Sequence, residues 1–439
     1  MFVKLFRWVL FIAFIPLTQA VDIQSWTLDN GAKVMYVHSP QIPIIDIKVS
    51  FDAGVRRDAS SKIGIASFTG ALMDTGTTTL SEEAIRNQIA RLAINLNTST
   101  SLEYASLDFR SQTKAEILQP ALKLANQVLT QPAFDAKILK REQERSIQGL
   151  KQGQTNAAFL ADRAITQMNY PKHPYGFPAK TTEQTIQAVK REDLVHFYQK
   201  HYVTEGAVVS IVGAVNRNEA DKIAREILQG LSRGQKQASV TAVTIDGGQS
   251  KNIAHPASQA HIQIGLPVFT RHDPDYYALL VGNYILGSGG FDSRLMKVLR
   301  DENGLVYGVS SSLAPYEQKG EFSIEFSTKK NEALRALQLT RDTLTQFIAQ
   351  GPTDAELKQA KNNIIGGFPL RFDSNGKLIA YLDVIGRYDL PLSFLDDYPE
   401  KVRKISKDDI RYAWQKRIDP ALLNTVIVGA EEKQNADTL

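Results

Sequence analysis

The sequence predicts an α+β fold built from two homologous α/β-layer domains in tandem, each a mixed, mostly antiparallel sheet packed with helices. Three observations predict it. First, residues 189–214 (VKREDLVHFYQKHYVTEGAVVSIVGA) match residues 405–430 (ISKDDIRYAWQKRIDPALLNTVIVGA) at a constant offset of 216, sharing Asp193/Asp409, Gln199/Gln415, Lys200/Lys416 and a terminal Ile-Val-Gly-Ala. Second, FDAKILKREQ at 134–143 matches TDAELKQAKN at 353–362 at an offset of 219, in the same order along the chain. Third, strand and helix patterns interleave without strict βαβ alternation, which favours α+β layers over a doubly wound parallel sheet.

Alternating strand patterns open both halves, at 33–38 and 44–51 and again at 261–266. Helical periodicity follows at about 81–94, 114–131 and 135–152, then at 275–287, 330–350 and 353–366. Near the end of the first half, an acidic-capped helix carrying Leu194, Phe197 and Tyr198 leads into the β-branched run from Val208 to Val212, closed by Gly213. Residues 231–248, rich in Ser, Gln, Thr and Gly, read as the linker between domains at 21–230 and 249–439.

At 439 residues, with 43% apolar and 22% charged composition, the chain is too long for one core and too apolar for disorder. Lys and Arg number 51 against 47 Asp and Glu, and the cations do not cluster, so no nucleic-acid footprint exists. The absence of cysteine excludes disulfides, thiolate zinc sites and Cys nucleophiles. Seven histidines remain, and no two are four apart as a one-face helical zinc pair requires.

The first twenty residues carry Lys4 and Arg7, then an apolar run from Trp8 to Leu17, then Thr18-Gln19-Ala20. This is a secretory signal pattern with cleavage expected after Ala20. The run is too short to span a bilayer, for which about 20 apolar residues are needed. An exported, cysteine-free chain without stable membrane insertion suits a bacterial periplasm.

Several strings carry a family resemblance: GIASFTGALMDTGT (64–77), NLNTSTSLEYASLDF (95–109), HPYG (173–176), FYQKHYVTEGAVVSIVGAV (197–215) and DPDYYALLVGNYILGSGGFDSRLMKVLRDENGLVYGVSSS (273–312). Together they resemble the pitrilysin family of inverzincin metallopeptidases, in particular its smaller two-domain members akin to mitochondrial processing peptidase subunits. The resemblance implies a helix bearing H-x-x-E-H, whose two His bind zinc while the Glu serves as general base, with a distal Glu as third ligand. Here those positions fall at Ser67, Gly70, Ala71 and Gly149 (Gln148 if the register slips by one). A hydroxyl, a hydrogen, a methyl and another hydrogen offer neither imidazole nor carboxylate to a divalent ion. No cofactor is therefore expected in this chain, and no activity from it alone.

The resemblance also implies an Arg and a Tyr in the second domain, in a string like L-R-x-x-x-G-L-x-Y. It is intact as Leu299-Arg300-Asp301-Glu302-Asn303-Gly304-Leu305-Val306-Tyr307. By the resemblance, Tyr307 donates to a developing oxyanion and Arg300 holds a substrate carbonyl. Read without it, Arg300 is a solvated helix end and Tyr307 the start of a half-buried strand. The Gly287–Gly290 stretch lacks a following Lys-Ser/Thr and reads as a turn between helices, not a phosphate cradle.

These residues frame the expected function: a zinc-free, non-catalytic subunit of a heterodimeric periplasmic zinc peptidase, lending Arg300 and Tyr307 to a homologous zinc-bearing partner that acts on unfolded or extended peptide. The alternative is a scaffold that holds extended peptide at a sheet edge without cutting it.

Overall fold

Runs of β-branched and aromatic residues set the strands. The computed structural model describes residues 21–431; the signal-peptide expectation falls on residues outside this range. In the first half β1 (Gln24–Thr27), β2 (Lys33–His38), β3 (Ile44–Phe51), β4 (Asn95–Thr100), β5 (Ala105–Gln112) and β6 (Val208–Gly213) pair in the order β1-β2-β6-β3-β5-β4. All neighbours are antiparallel except β2 and β6. In the second half β7 (Ser250–Ile253), β8 (Gln259–Phe269), β9 (Val306–Leu313), β10 (Gly320–Lys329) and β11 (Asn424–Val428) pair as β7-β11-β8-β10-β9. Again only one pair, β7 with β11, is parallel. With β1 set aside, the two sheets have the same strand order and the same sense at every step. The duplication read from sequence is therefore a duplication of topology, and the α+β expectation holds.

The helices follow the apolar periodicity. Those at Glu82–Leu92, Ala115–Thr130, Ala136–Gly153, Ala333–Gln350 and Asp354–Gly367 lie within three residues of the expected bounds. Side-chain caps fix several starts: Ser81 accepts from the Ala84 amide, Asp135 from Lys137 and Ile138, and Thr353 forms a capping box with Glu356. Residues 231–249 carry neither helix nor strand.

Two helices do not cover their own sheet. Ala157–Asn169, from the first half, packs on β8 and β11 of the second. Asn375–Arg387, from the second half, packs on β2, β3 and β6 of the first. They are equivalent elements, both 13 residues long and offset by 218. Each half thus lends a helix to the other. Met35, Val37, Val208 and Val212 consequently join the core of the second half, while Val34, Tyr36 and Val209, on the opposite face, stay with the first. Glycine permits both close approaches: a Cβ at Gly386 would press on Val208 and Met35, and one at Gly265 would press on Glu321 and Asn169.

A buried carboxylate ties the joint. Glu103, 2% exposed, accepts from Arg56 (2.6 Å) and the Tyr175 hydroxyl (2.5 Å) in the first half. From the second half it accepts from the Tyr388 hydroxyl and the Glu317 amide. Arg56 is shared with Asp52 (3.0 Å) and Glu317, so one guanidinium holds three carboxylates in a single network.

Candidate functional site

The helix Ile65–Met73 is held at its start by Asp58, whose carboxylate accepts the amides of Gly64 and Ala66 at 2.7 Å each. Burial raises the Asp58 pKa to about 6, against the lowering effect of those two bonds. The helix packs on Arg191–His201, β4, β5 and Ala136–Gly153. Ser67 and Ala71 lie one turn apart and are both exposed, as a helical pair of ligands would be. Gly149, on the helix Ala136–Gly153, is exposed with open space around its Cα; Gln148 is exposed beside it.

Gly70 is different. It is buried against β4, where the Thr98 hydroxyl donates to its carbonyl at 2.7 Å and the Thr100 hydroxyl donates to Ala66 O at 3.4 Å. A Cβ at position 70 would overlap Thr100 Oγ1. Where the resemblance puts a general base, two β4 hydroxyls bond the helix backbone instead. Among the described residues no group of three His, Asp or Glu side chains is placed to hold a metal ion. Of the histidines, His173 caps the turn Pro174–Gly176 by accepting from the Tyr175 amide, and burial pushes His201 down to about 4.

The Arg300 and Tyr307 pair lies in the other half. Arg300 lies in the last turn of the helical segment Arg294–Glu302, next to the buried Leu299, and Tyr307 is the second residue of β9. Between Val306↔Thr328 and Val309↔Phe326, β9 has one residue more than β10, a bulge that falls at Tyr307 and Gly308. Such an extra residue re-aims side chains, and Tyr307 stands out at 91% exposure. β9 is a half-buried strand, as the local pattern alone suggested, with Tyr307 among its exposed positions at the bulge. Arg300 Cζ lies 4.7 Å from the Phe291 ring centroid and 5.8 Å from that of Tyr307. Cation–π contact, not an ion pair, holds the guanidinium, since no carboxylate among the described residues bridges to it despite Asp301 and Glu302 next in sequence. Phe291, itself 70% exposed, is the member that motif reading missed. Its signal was an aromatic directly after the Gly287–Gly290 turn.

The chemistry is thus divided. Positions 67, 70 and 71 on the helix Ile65–Met73 offer no imidazole or carboxylate; the second half has a hydroxyl donor, Tyr307, and a cation, Arg300, both reachable from solvent. That defines the class: a duplicated two-domain α+β fold with no metal-holding group among its described residues.

Comparison with known proteins agrees. The family model for insulinase (peptidase family M16) matches residues 33–182, and that for the peptidase M16 inactive domain matches 188–364. A Bacillus subtilis relative described as an uncharacterized zinc protease YmxG is 24% identical over 81% of this chain and 86% of its own length. A Helicobacter pylori relative described as a non-peptidase homolog YmxG is 25% identical over 87% and 88%. The crystal structure of a peptidase M16 inactive domain from Pseudomonas fluorescens superposes with a TM-score of 0.90 at 28% identity, covering 94% of this chain and 99% of that one. The chain belongs to the M16 family, as the pitrilysin resemblance implied. Two relatives of nearly equal identity bear opposite descriptions, so overall similarity does not decide activity. The match to the M16 inactive domain and the non-peptidase relative make this chain an inactive M16-like peptidase homologue.

Proposed function

We propose that this chain is the zinc-free subunit of a heterodimeric zinc peptidase in the periplasm, and that it lends Arg300 and Tyr307 to a homologous partner bearing an intact H-x-x-E-H. The observation that carries the reading is the asymmetry of the chain: positions 67, 70, 71 and 149 offer no metal donor, while a partly exposed Arg300 stands beside an exposed Tyr307 in the second half. In the partner, zinc and the Glu between its ligands would supply the activated water. This chain's part is to orient and to donate. The Tyr307 hydroxyl gives a proton-bearing donor to the carbonyl oxygen as it gains charge, and Arg300, steadied by Phe291, holds a neighbouring backbone carbonyl of the peptide. A donor realised mainly in the transition state commonly contributes about 2.7–4 kcal/mol.

The test is peptide hydrolysis by the reconstituted pair, with assembly checked by gel filtration. Tyr307→Phe removes one exposed hydroxyl, so folding and assembly should persist while kcat and kcat/KM fall together by about 10²–10³. Arg300→Ala should also raise KM, since a ground-state contact goes with it. Full activity in an assembled Tyr307→Phe complex sinks the lent-residue mechanism. One observation favours the scaffold reading instead: both sheets end in an unpaired edge strand, β4 and β9, open to strand addition. On that reading the Tyr307→Phe complex keeps its full activity.

The location belongs to the same proposal. Cleavage after Ala20 would leave Val21 as the first residue, and mass spectrometry of periplasmic material should show the loss of residues 1–20; Met1 in the membrane fraction would instead mean an anchor. No helix among the described residues is long and apolar enough to cross a membrane.

A further inference from the structure

A groove of about 470 Å³ opens beside Tyr307 on the polar face of the second sheet, lined chiefly by Gln259, His261, Tyr307, Ser310, Glu325 and Ser327. Three facts about it bear on what it holds. Glu325 is exposed and has no ion-pair partner among the described residues; its cross-strand neighbours, Gln263 on β8 and Ser310 on β9, are uncharged. Gln263 itself lies outside the groove lining and its side chain bonds Asp162, so it does not engage Glu325. His261 adds no positive charge: its Nδ1 lies 3.0 Å from Ser327 Oγ, and burial holds it below its ordinary pKa despite the charge of Glu325. Asp162, on the lent helix, is pushed up by burial and then by Glu325, which adds a second carboxyl on the same side. The nearby cations are elsewhere engaged or at the rim: Arg163 faces the Phe159 ring, Arg300 lies between Phe291 and Tyr307, and Lys329 ends β10.

The geometry relates this groove to the free edge of β9. A peptide added beside β9 would lie two strand spacings, about 10 Å, from β10. The β9 residues in between are small: Ser310 and Gly308, the latter with nothing within 4 Å of where its Cβ would stand. A side chain from the added strand therefore has an open path toward Glu325. A Lys or Arg stem of roughly 6–7 Å, met by the reach of Glu325 itself, closes that gap, and a short polar side chain does not.

We propose that the groove is a specificity site for a cationic side chain, Lys or Arg, of an extended peptide laid along β9, with Glu325 as its counter-charge. This rests on the peptide-binding reading above and names the substrate class of that site. Backbone pairing with β9 supplies sequence-independent affinity, and Glu325 supplies selectivity.

The test uses the full chain and a fluorescent-labelled unstructured peptide carrying one Lys, compared with the same peptide carrying norleucine, and separately Arg with citrulline. Titrations at low salt should show a preference for the cationic member of about five- to tenfold, shrinking in 0.5 M salt. Glu325→Gln should abolish the preference while leaving norleucine-peptide affinity unchanged; Glu192→Gln, an equal loss of charge in the other half, should not. Binding without preference, or a preference that survives Glu325→Gln, overturns the groove assignment and leaves peptide binding standing. Binding of none of the peptides overturns both.

Discussion

At position 70 the side chain that is missing matters less than the room for it. Gly70 lies under Thr100, so the catalytic Glu cannot be reinstalled by adding atoms to the helix alone. The quadruple change Ser67→His, Gly70→Glu, Ala71→His, Gly149→Glu should therefore fold with loss of about 1–3 kcal/mol from overpacking and hydrolyse no peptide. Adding Thr100→Gly should recover the stability lost at Gly70, read by urea unfolding. Glu103 is the opposite case, a residue whose charge is fully used. Glu103→Ala leaves Arg56 with Asp52 and Glu317 but strands the Tyr175 and Tyr388 hydroxyls in the interior. Its expected cost is about 1–3 kcal/mol for each stranded hydroxyl, measured by denaturant unfolding, with Glu103→Gln intermediate because the amide keeps one acceptor.

At the scale of elements, the lent helix Ala157–Asn169 carries a titrating joint. Asn169 donates to Glu321 at 2.6 Å and accepts from Asn424 at 2.8 Å, while burial, with the Asp162 charge adding, raises Glu321 to about 7. Since its unfolded value is 4.5, the folded state binds the proton more tightly. The stabilisation is fully present below pH 4.5 and is lost as pH rises through 7, a fall of at most about 3 kcal/mol. Glu321→Gln should flatten that stretch of the stability–pH curve; an unaltered slope refutes the assignment. The elements differ in how far the sequence reveals them. Helices such as Ala115–Thr130 were legible because their apolar face meets a core built by the same half. The exchanged pair was not: of thirteen equivalent positions only Leu160 and Leu378 are identical, and neither the swap nor the partner sheet leaves a local pattern. The β9 bulge was equally hidden, being a property of register between two strands. The Arg300 and Tyr307 string was readable, but its aromatic support from Phe291 depends on a turn whose geometry no motif specifies.

At the scale of the whole molecule, the halves are two by descent and one by packing. Protease nicking within the largely exposed stretch 232–239 should give two bands on a denaturing gel and one undissociated particle by native gel filtration. Residues 21–236 expressed alone should remain molten or aggregate, because the face bearing Met35, Val37, Val208 and Val212 loses its cover. Co-expression with residues 237–439 should restore a soluble complex; a well-folded first half on its own would contradict the exchange.

The lent helices also bear on the order in which the polypeptide can mature. Synthesis runs from the N-terminus, and domains ordinarily settle as they emerge. Here the first sheet has all its strands once Gly213 is made, yet one of its faces stays bare until Arg387 has followed, when little of the chain remains to be translated. Over the 174 residues from Gly213 to Arg387 the nascent chain shows an apolar surface that no early folding step can hide. Such a protein depends on holding factors during birth and transit, and its yield should respond to their supply far more than its finished stability does.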